Sequence, residues 1–545
     1  MKSNSHGTGK NLSLILLAMT GCAVIFASNA QAQQPESSDL SSETEYGVWN
    51  RKEDASGQQI LEMSLKVYPK VTPLPAFKHR LIPAAKDRVD GNAAIFYLKA
   101  AGFFEQNHAR EQLTKLQRKW RDEATEEHRD AGNYAPNNWY TAAPESLPMK
   151  QVKEYLLLQS FQPQWLYDAA RRTRFEHDRA IEREPNPIGY LLPSIQQHRE
   201  LARVQTVRCR FAMAEGRIDD AVEIVGQVMA MGRHLGQDEF LVSGLVGAAI
   251  HRIGVDAGFV LSQQANAPNL YWAIAACREP AIDLSKAIGF ERNFLLLQIP
   301  ILKEVTETVR PASFWGDFMR RFQSATNGLA GWLGHTSIEK SDQQWNGLKA
   351  ATKIANDYPT AREFLHEVYK MSDDQLDEYP KAQVVFLAIL KFNELAQDEV
   401  LKRFVLPHAS IPKDYESELM KRWRPRFNPH RVQFSLNESL LPLGEVMVPA
   451  SQQVIGATVS VDQQQKLWQT VEALRMTAAE NDGKLPQSLE QLVVPAPLDP
   501  ATCQPFEYEL NQGIATLRGA KTNSRDQMQI KLELANQQNQ RETVE

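Results

Sequence analysis

The sequence predicts a mainly α-helical protein, a multi-helix bundle or irregular helical array that ends in a small C-terminal α+β unit. Three observations support this fold class. Three helix-length apolar patterns follow one another between residues 191 and 264, separated only by tight turns. Apolar residues recur at helical spacing again in Thr360–Met371 and Lys381–Phe404. Near the C-terminus, Phe506–Leu510 instead alternates between apolar and polar residues, as strands do.

The N-terminus has the features of a secretory signal peptide. Two lysines precede an apolar run from residue 12 to residue 27, and Ala30-Gln31-Ala32 offers the small residues that signal peptidase requires. We therefore predict a signal peptide over residues 1–32 and a mature protein that begins at Gln33. A lipoprotein signal, cleaved before Cys22, is the alternative interpretation. Either signal predicts export to the periplasm or the exterior.

Residues 33–90 are predicted to form a flexible leader followed by an irregular wrapping segment. Residues 33–45 are rich in Ser, Gln and Glu, a composition that buries too little apolar surface to fold. Prolines punctuate the remainder, so that we expect little regular structure there beyond a short helix near Ile60–Val67.

Residues 91–461 are predicted to form a helical body centred on the segment 191–264. The second helix of that segment follows a break at Glu215-Gly216-Arg217. Its apolar residues, among them Val225 and Met229, recur at three-and-four spacing, which is the period of a helix and not of a strand.

The third central helix, from Glu239 to about Gln264, is the most apolar segment of the mature chain. It contains four glycines: Gly244, Gly247, Gly254 and Gly258. Because each glycine costs a helix about 1 kcal/mol, they predict the close approach of a neighbouring helix. A membrane span is the rival interpretation, but His251, Arg252 and Asp256 interrupt the run before it reaches about 20 apolar residues. We therefore predict the central helix of a soluble bundle.

Two charged features are candidates for binding or catalysis. Arg171–Arg174 contains three arginines, whose planar forks suit carboxylate and phosphate groups. Pairing with the acids between residues 176 and 182 is the interpretation that we adopt. Glu291 stands among apolar residues, where a raised pKa would make it a candidate acid. An ion pair with Arg292, or between helices, is the simpler interpretation.

Residues 462–520 are predicted to form a separate small α+β unit. A helix over Gln463–Ala479 is followed by an Asp-Pro turn and by two strands. The turn Asn511-Gln512-Gly513 joins Phe506–Leu510 to Ile514–Leu517 as a hairpin. From residue 521 to residue 545 the chain is polar and is predicted to be a disordered tail.

The length and the net charge of the chain limit the classes of protein to which it can belong. At 545 residues the chain exceeds one ordinary domain, so two or more units are expected. Its formal net charge of −5 argues against a nucleic-acid-binding protein, for which a basic surface is the usual sign. One run, Lys421–Phe427, interleaves basic and aromatic residues, and we interpret it as a surface loop.

The cysteines and histidines predict neither a disulfide framework nor a metal site. Cys209, Cys277 and Cys503 remain after cleavage at Ala32, and an odd number cannot pair completely. Cys209 and Cys277 fall in helical patterns and are expected to be small buried residues, with a bridge between them as the alternative. The sequence has no close metal-ligand cluster, nucleophile elbow or glycine-rich phosphate loop. We therefore predict no cofactor.

Several segments between Pro75 and Gly519 carry a resemblance to a known family: residues 75–83, 91–94, 191–193, 212–216, 474–476, 482–489 and 497–508. On these segments the chain resembles a family of exported, uncharacterised α-helical proteins typical of planctomycetes. The resemblance implies export and a helical body, and it brings no established activity. It also implies glycine where this chain has Cys503, so that the turn there is expected to differ.

Two shorter segments carry weaker likenesses. Gly216–Ala221 resembles the helix junction of a tetratricopeptide-type repeat, although no 34-residue period recurs. The C-terminal helix, Asp-Pro turn and hairpin resemble the end of the pseudopilins of type II secretion.

These features together predict an exported helical scaffold or protein-interaction protein. Its partner would be a protein or a component of the cell envelope, with no nucleic acid and no transmembrane helix in the mature chain. A lipid anchor at Cys22 is the alternative attachment. A helical hydrolase that acts on cell-envelope polymers through paired carboxylates is the alternative function. No residue is identified as catalytic, cofactor-binding or metal-ligating.

Overall fold

The computed structural model describes residues 47–53, 57, 59–123, 136–177, 179–183, 193–332, 347–410, 415–428, 439–445, 451–522 and 526–535. The chain is mainly α-helical within these ranges, with a small sheet region that includes the C-terminal hairpin. This confirms the predicted fold class. The predicted signal peptide, residues 1–32, and the leader up to residue 45 lie outside the described residues.

The helices are α1 Ala94–Ala101, α2 Phe103–Glu123, α3 Pro136–Trp139, α4 Met149–Leu158, α5 Gln162–Ala170, α6 Pro193–Ala214, α7 Ile218–Gly236, α8 Leu241–Ser262, α9 Tyr271–Ala275, α10 Ser285–Glu291, α11 Phe294–Gln298, α12 Ala312–Trp332, α13 Gly347–Tyr369, α14 Asp373–Glu378, α15 Lys381–Val405, α16 Glu418–Phe427 and α17 Ser451–Glu480. The strands are β1 Trp49–Glu53, β2 Gln59–Val67, β3 Val89–Asn92, β4 Arg172–Arg174, β5 Leu498–Asp499, β6 Gln504–Pro505, β7 Glu507–Asn511, β8 Ile514–Arg518 and β9 Gln527–Leu534.

The chain divides into two compact units. Among the described residues, the large unit contains those from 47 to 177, from 193 to 286 and from 452 to 535, and the small unit contains those from 179 to 183 and from 287 to 451. The boundaries predicted at residues 90, 461 and 520 do not coincide with this division, since the large unit takes segments from both ends of the chain.

Three consecutive helices, α6, α7 and α8, lie at the centre of the large unit. The turn between α6 and α7 uses Gly216, whose φ of +73° favours glycine. The N–H of Arg217 there bonds to Ala212 O at 2.8 Å, which satisfies a carbonyl that the end of α6 leaves free. Asp219 and Asp220 stand in the first turn of α7 and Arg233 in its last, as the helix dipole favours.

The glycines of α8 permit close packing, as predicted. A Cβ atom built on Gly247 would lie 2.6 Å from Gly232 O of α7, and one on Gly254 would lie 2.8 Å from Met229 Cγ. The glycines do not all pack against α7, because a Cβ on Gly258 would lie 2.5 Å from the ring of Trp468 of α17. By length and composition α8 could cross a membrane, but 72 % of its most apolar stretch is buried inside the protein. It is a core helix of the large unit.

A five-stranded sheet in the large unit joins the two ends of the chain. The strand order is β1-β2-β9-β8-β7, with β2 and β9 parallel and the other pairs antiparallel. The helix predicted near Ile60–Val67 is wrong, because this segment is part of β2. Met63, Leu65 and Val67 are buried in alternation with Ser64 and Lys66, which is the period of a strand.

The disordered tail predicted over residues 521–545 is also wrong in part. Gln527–Leu534 forms β9, the central strand of the sheet, and it buries Met528, Ile530 and Leu532. The hairpin of β7 and β8 is confirmed, with Gln512 and Gly513 at φ of +50° and +84° in its two-residue turn. Since β8 pairs with β9 and β9 pairs with β2, the hairpin of the segment 462–520 belongs to the five-stranded sheet, and β5 and β6 alone form a two-stranded sheet within that segment.

The small unit has an aromatic core. Its buried rings form two groups: Trp315, Phe318, Phe322 and Phe386, and Phe364, Phe392, Trp423 and Phe427. The prediction of a helix over Lys381–Phe404 is confirmed by α15. The surface loop predicted at Lys421–Phe427 is instead the end of α16, because its aromatic residues recur at helical spacing and are buried. Its arginines pair with glutamates, for example Arg426 with Glu363 at 2.8 Å.

Candidate functional site

Helices α8 and α17 share a row of buried and half-buried polar side chains, which we call the polar seam. Its members are His251, Arg252, Asp256 and Ser262 of α8 and Ser460, Gln464, Gln465, Trp468, Glu472 and Arg475 of α17. Arg252 bonds to Ser460, and Asp256 bonds to Gln464, four residues further along in each helix. The two helices therefore run in the same direction, and residues one turn apart face their partners in register.

His251 is a neutral ring at the start of the seam. Its Nδ1 lies 3.1 Å from Met229 O, which can only accept, so Nδ1 carries the proton. Its Nε2 lies 2.9 Å from the side-chain amide of Gln465. Burial, reinforced by the charge of Arg233, lowers the pKa of His251 to about 4.

Asp256 is a half-buried acid in the middle of the seam. Its Oδ1 accepts a hydrogen bond from Trp49 Nε1 at 2.8 Å and another from Gln464. Burial raises the pKa of Asp256 to about 6, although these hydrogen bonds and the charge of Arg252 oppose the shift. A carboxyl group with this pKa can act as a proton donor or acceptor near neutral pH.

Glu472 and Arg475 form a completely buried ion pair at the far end of the seam, with neither side chain exposed. Arg475 Nη1 donates to both carboxylate oxygens of Glu472 at 2.8 Å. Glu472 also accepts from Ser262 Oγ at 2.5 Å and from the N–H of Leu270 at 2.9 Å. Arg475 Nε donates to Tyr68 O at 3.0 Å. The pair is therefore fully hydrogen-bonded, and it joins α17 to two distant segments.

A second acid, Asp462, lies on the opposite side of α17. Asp462 stands two positions before Gln464, which turns its side chain by about 200° relative to that of Gln464 at 3.6 residues per turn. Asp462 accepts from the N–H of Ala281 at 2.8 Å, and burial raises its pKa to about 7. Because Gln464 faces Asp256, the two acids with raised pKa values point away from each other.

An exposed apolar loop, residues 71–77, follows β2 and is held in place by the seam. Val71, Leu74 and Phe77 are 58 %, 89 % and 43 % exposed. Before the loop, the N–H of Lys70 donates to Arg475 O at 3.0 Å. After it, Leu81 is buried with its carbonyl directly against α7 at Gly226, where a Cβ would approach Leu81 O at 2.5 Å. Both ends of the apolar loop are thus fixed.

The structure separates the charged features that the sequence singled out. Arg171 Nε donates to Asp87 O at 2.8 Å, and Arg174 pairs with Asp90 at 3.3 Å. The partners predicted between residues 176 and 182 are therefore wrong for these two arginines, because parallel pairing of β4 with β3 places the side chains beside residues from early in the chain.

Arg292, in the turn after α10, pairs with acids of α15. Its guanidinium lies 2.7 Å from Asp398 and 3.8 Å from Glu394, both on α15, while Glu291 beside it is half-buried. The three cysteines among the described residues, Cys209, Cys277 and Cys503, are free, and Cys209 and Cys277 are buried as expected, with no bridge between them. Among the described residues, no group of three or more His, Cys, Asp or Glu side chains is placed to hold a metal ion.

None of these residues is recognisable as part of a site from the sequence alone. His251, Arg252 and Asp256 stand out there only as ionisable residues inside an apolar helix. The run Asp462–Gln465 was a similar signal in α17. Polar residues in a helix that has no solvent-facing side imply buried hydrogen-bond partners.

Comparisons with known proteins found no similar protein. No protein-family model, curated protein or solved structure matches the chain.

Proposed function

We propose that the protein is an exported helical scaffold that binds a protein or envelope component through the apolar loop. The single observation that carries the proposal is the exposure of Val71, Leu74 and Phe77 within seven residues on a loop fixed at both ends. Contiguous apolar surface of this kind marks interaction sites. A fixed loop also loses little conformational freedom on binding, which favours affinity.

The polar seam supports the same interpretation. Arg475 bonds to the backbone just before the apolar loop, and Glu472 holds Arg475 in turn. The Phe77 ring packs 6.4 Å from Trp272, and Arg80 lies 5.3 Å above the same ring. In this proposal the buried charges serve to position the binding loop, and no reaction is assigned to them.

The test places a photo-crosslinking residue at position 74 in the cells that produce the protein. We expect one discrete crosslinked product, which a Phe77→Glu substitution in the same chain abolishes. Position 157 is the matched control, since Leu157 on α4 is also apolar and 62 % exposed. Equal products from both positions, or a product at 74 that survives Phe77→Glu, would remove the support for the apolar loop.

The proposal includes export, as the N-terminal sequence and the resemblance to exported planctomycete proteins imply. The experiment is mass spectrometry of the protein isolated from its compartment. A first residue at Gln33 supports signal-peptide cleavage, whereas a lipid-modified Cys22 would replace that part of the proposal with membrane anchoring. A protein that retains its first 32 residues in the cytoplasm contradicts export altogether.

The hydrolase alternative rests on Asp256, whose raised pKa suits a general acid. Burial lowers the pKa of Arg210, and the negative charges of Asp256 and Glu145 oppose that shift. Purified peptidoglycan is the probe for this alternative. Release of soluble fragments by the parent protein but not by the Asp256→Asn variant would favour the hydrolase, and release by neither favours the scaffold.

A further inference from the structure

The tip of the apolar loop is almost fully exposed. Leu74 stands between Pro73 and Pro75, and at 89 % exposure it is the most exposed large apolar side chain of the described residues. Because proline fixes φ, the two prolines limit the conformations that the tip can adopt. The tip is therefore a stiff apolar projection whose surface the described part of the chain leaves almost uncovered.

Further apolar and aromatic surface adjoins the loop. The Phe77 ring lies 6.4 Å from the half-buried ring of Trp272. Thr72 Oγ1 donates to Met476 Sδ at 3.1 Å, and Trp272 packs against the small buried cluster that contains Met476. Aromatic rings beside exposed aliphatic side chains are typical of protein segments that enter the boundary between lipid headgroups and acyl chains.

Basic residues border the loop. Lys78 and Arg80 follow it directly and are exposed, and the Arg80 guanidinium lies 5.3 Å from the centre of the Phe77 ring. From residue 63 to residue 86 the sequence contains five lysines and arginines and no aspartate or glutamate. An anionic membrane surface attracts basic residues that lie beside an apolar segment.

The acids at the start of α7 do not neutralise these two cations. Asp219 lies 3.2 Å from Nδ1 of His79, whose side chain is mostly buried between the exposed Lys78 and Arg80. Arg217 pairs with the other two acids of this turn, Glu215 and Asp220. Within the described part of the chain, neither Lys78 nor Arg80 forms an ion pair. Both positive charges are therefore available to a partner.

We infer that the apolar loop inserts into an anionic membrane surface, with Lys78 and Arg80 at the level of the lipid headgroups. This inference rests on the proposed function and identifies the envelope component as a lipid bilayer. A protein partner would have to supply a pocket around Leu74, whereas acyl chains close around any apolar tip. Burial of the apolar side chains and attraction of the two cations act together, as in other proteins that bind at the membrane surface.

The first experiment measures binding of the exported protein to vesicles by co-sedimentation at constant ionic strength. We expect tighter binding to phosphatidylcholine vesicles that contain phosphatidylglycerol than to phosphatidylcholine vesicles alone. Leu74→Ser should weaken this binding by about tenfold or more, because one large apolar side chain no longer enters the bilayer. Lys78→Gln and Arg80→Gln should each weaken it by about fivefold, the contribution of one basic residue near an anionic surface. Lys150→Gln is the matched control, because Lys150 is an exposed lysine of α4.

A second measurement reports insertion at the loop itself. A polarity-sensitive fluorophore is attached at Leu74→Cys in a protein that also carries Cys503→Ser, since Cys503 is exposed. Its emission should shift to shorter wavelength when anionic vesicles are added, whereas the same probe at Leu157→Cys should not respond. All these proteins carry the same N-terminus, so that a lipid at Cys22 cannot account for a difference between the two positions.

Four results overturn the inference: no binding of the parent to anionic vesicles, equal affinity for both kinds of vesicle, binding that Leu74→Ser leaves unchanged, or a probe at position 74 that does not respond. The proposed function can fail or survive separately. A discrete protein crosslinked at position 74 without any vesicle binding overturns the membrane partner and leaves the scaffold proposal intact. The absence of both vesicle binding and a crosslinked product contradicts both proposals.

Discussion

Gly247 is the position where the packing of α7 against α8 can be tested most directly. A Cβ atom built there would lie 2.6 Å from Gly232 O, 3.0 Å from Leu235 Cβ and 3.2 Å from Gly236 N. Two of these three atoms belong to the backbone of α7, which cannot move aside as the end of a side chain can. Even alanine must therefore push the two helices apart.

The expected magnitude follows from two opposing effects. Replacing glycine by alanine inside a helix stabilises the protein by about 1 kcal/mol through helix propensity alone. Overpacking a close contact costs about 1–3 kcal/mol, and the cost is larger where backbone must shift. We expect Gly247→Ala to be destabilising by about 1–2 kcal/mol and Gly247→Leu to lose more.

Gly316 supplies the matched control. It lies in α12, and a Cβ atom there would meet nothing within 4 Å. Gly316→Ala should therefore show the propensity gain alone, about 1 kcal/mol of stabilisation. Urea unfolding of the three variants and the parent gives the free energies of unfolding. A Gly247→Ala protein as stable as the parent, or more stable, would refute the argument that close helix packing selects this glycine.

Three further predictions concern the seam and the C-terminal turn. Arg475→Met leaves Glu472 buried and unpaired, so we expect a loss of about 3–5 kcal/mol. In the Arg475→Met protein, hydrogen exchange of the Lys70 amide should also become faster. Adding Glu472→Gln to this variant should restore part of the lost stability. If Arg475→Met leaves the unfolding free energy unchanged, the pair does not have this role. Because folding raises the pKa of Asp256 to about 6 from 3.8, its contribution to stability is greatest below pH 4. It falls by up to about 3 kcal/mol as the pH rises through 6. When the unfolding free energy is measured from pH 4 to pH 7, the Asp256→Asn protein should not show this loss. If the difference in unfolding free energy between the two proteins is the same at every pH, the predicted contribution of Asp256 is wrong. Finally, Cys503 has a φ of +54°, where glycine is unstrained. The unfolding free energy of Cys503→Gly should exceed that of Cys503→Ala by about 1 kcal/mol. The reverse order would show that the turn stores no strain.

Much of the helical architecture could be predicted from the sequence. Periodic apolar residues located α7, α8 and α15, and the alternation of Phe506–Leu510 with its glycine turn located the hairpin of β7 and β8. The glycines of α8 correctly predicted close approach by the helix that carries Met229. The glycine that the family resemblance implies at Cys503 agrees with the positive φ found there, although the resemblance itself stays a prediction.

The candidate site could not be predicted in the same way. Trp49 reaches Asp256 and Arg475 reaches Tyr68 across 207 and 407 residues of sequence. No local pattern in the sequence shows which distant side chain will satisfy a buried charge. Likewise, nothing near residues 527–534 indicates that β2 will pair with them, so a polar segment that looked disordered became the central strand.

The sequence by itself determined the elements whose hydrogen bonds are local. A helix satisfies its backbone within four residues, so that the spacing of apolar residues and the placement of glycines are enough to predict it. Only the tertiary structure decided the five-stranded sheet, which pairs β2 with β9, and the polar seam between α8 and α17. These depend on partners that are distant in sequence, because a strand edge or a buried charge is stabilised by whichever segment the fold brings to it.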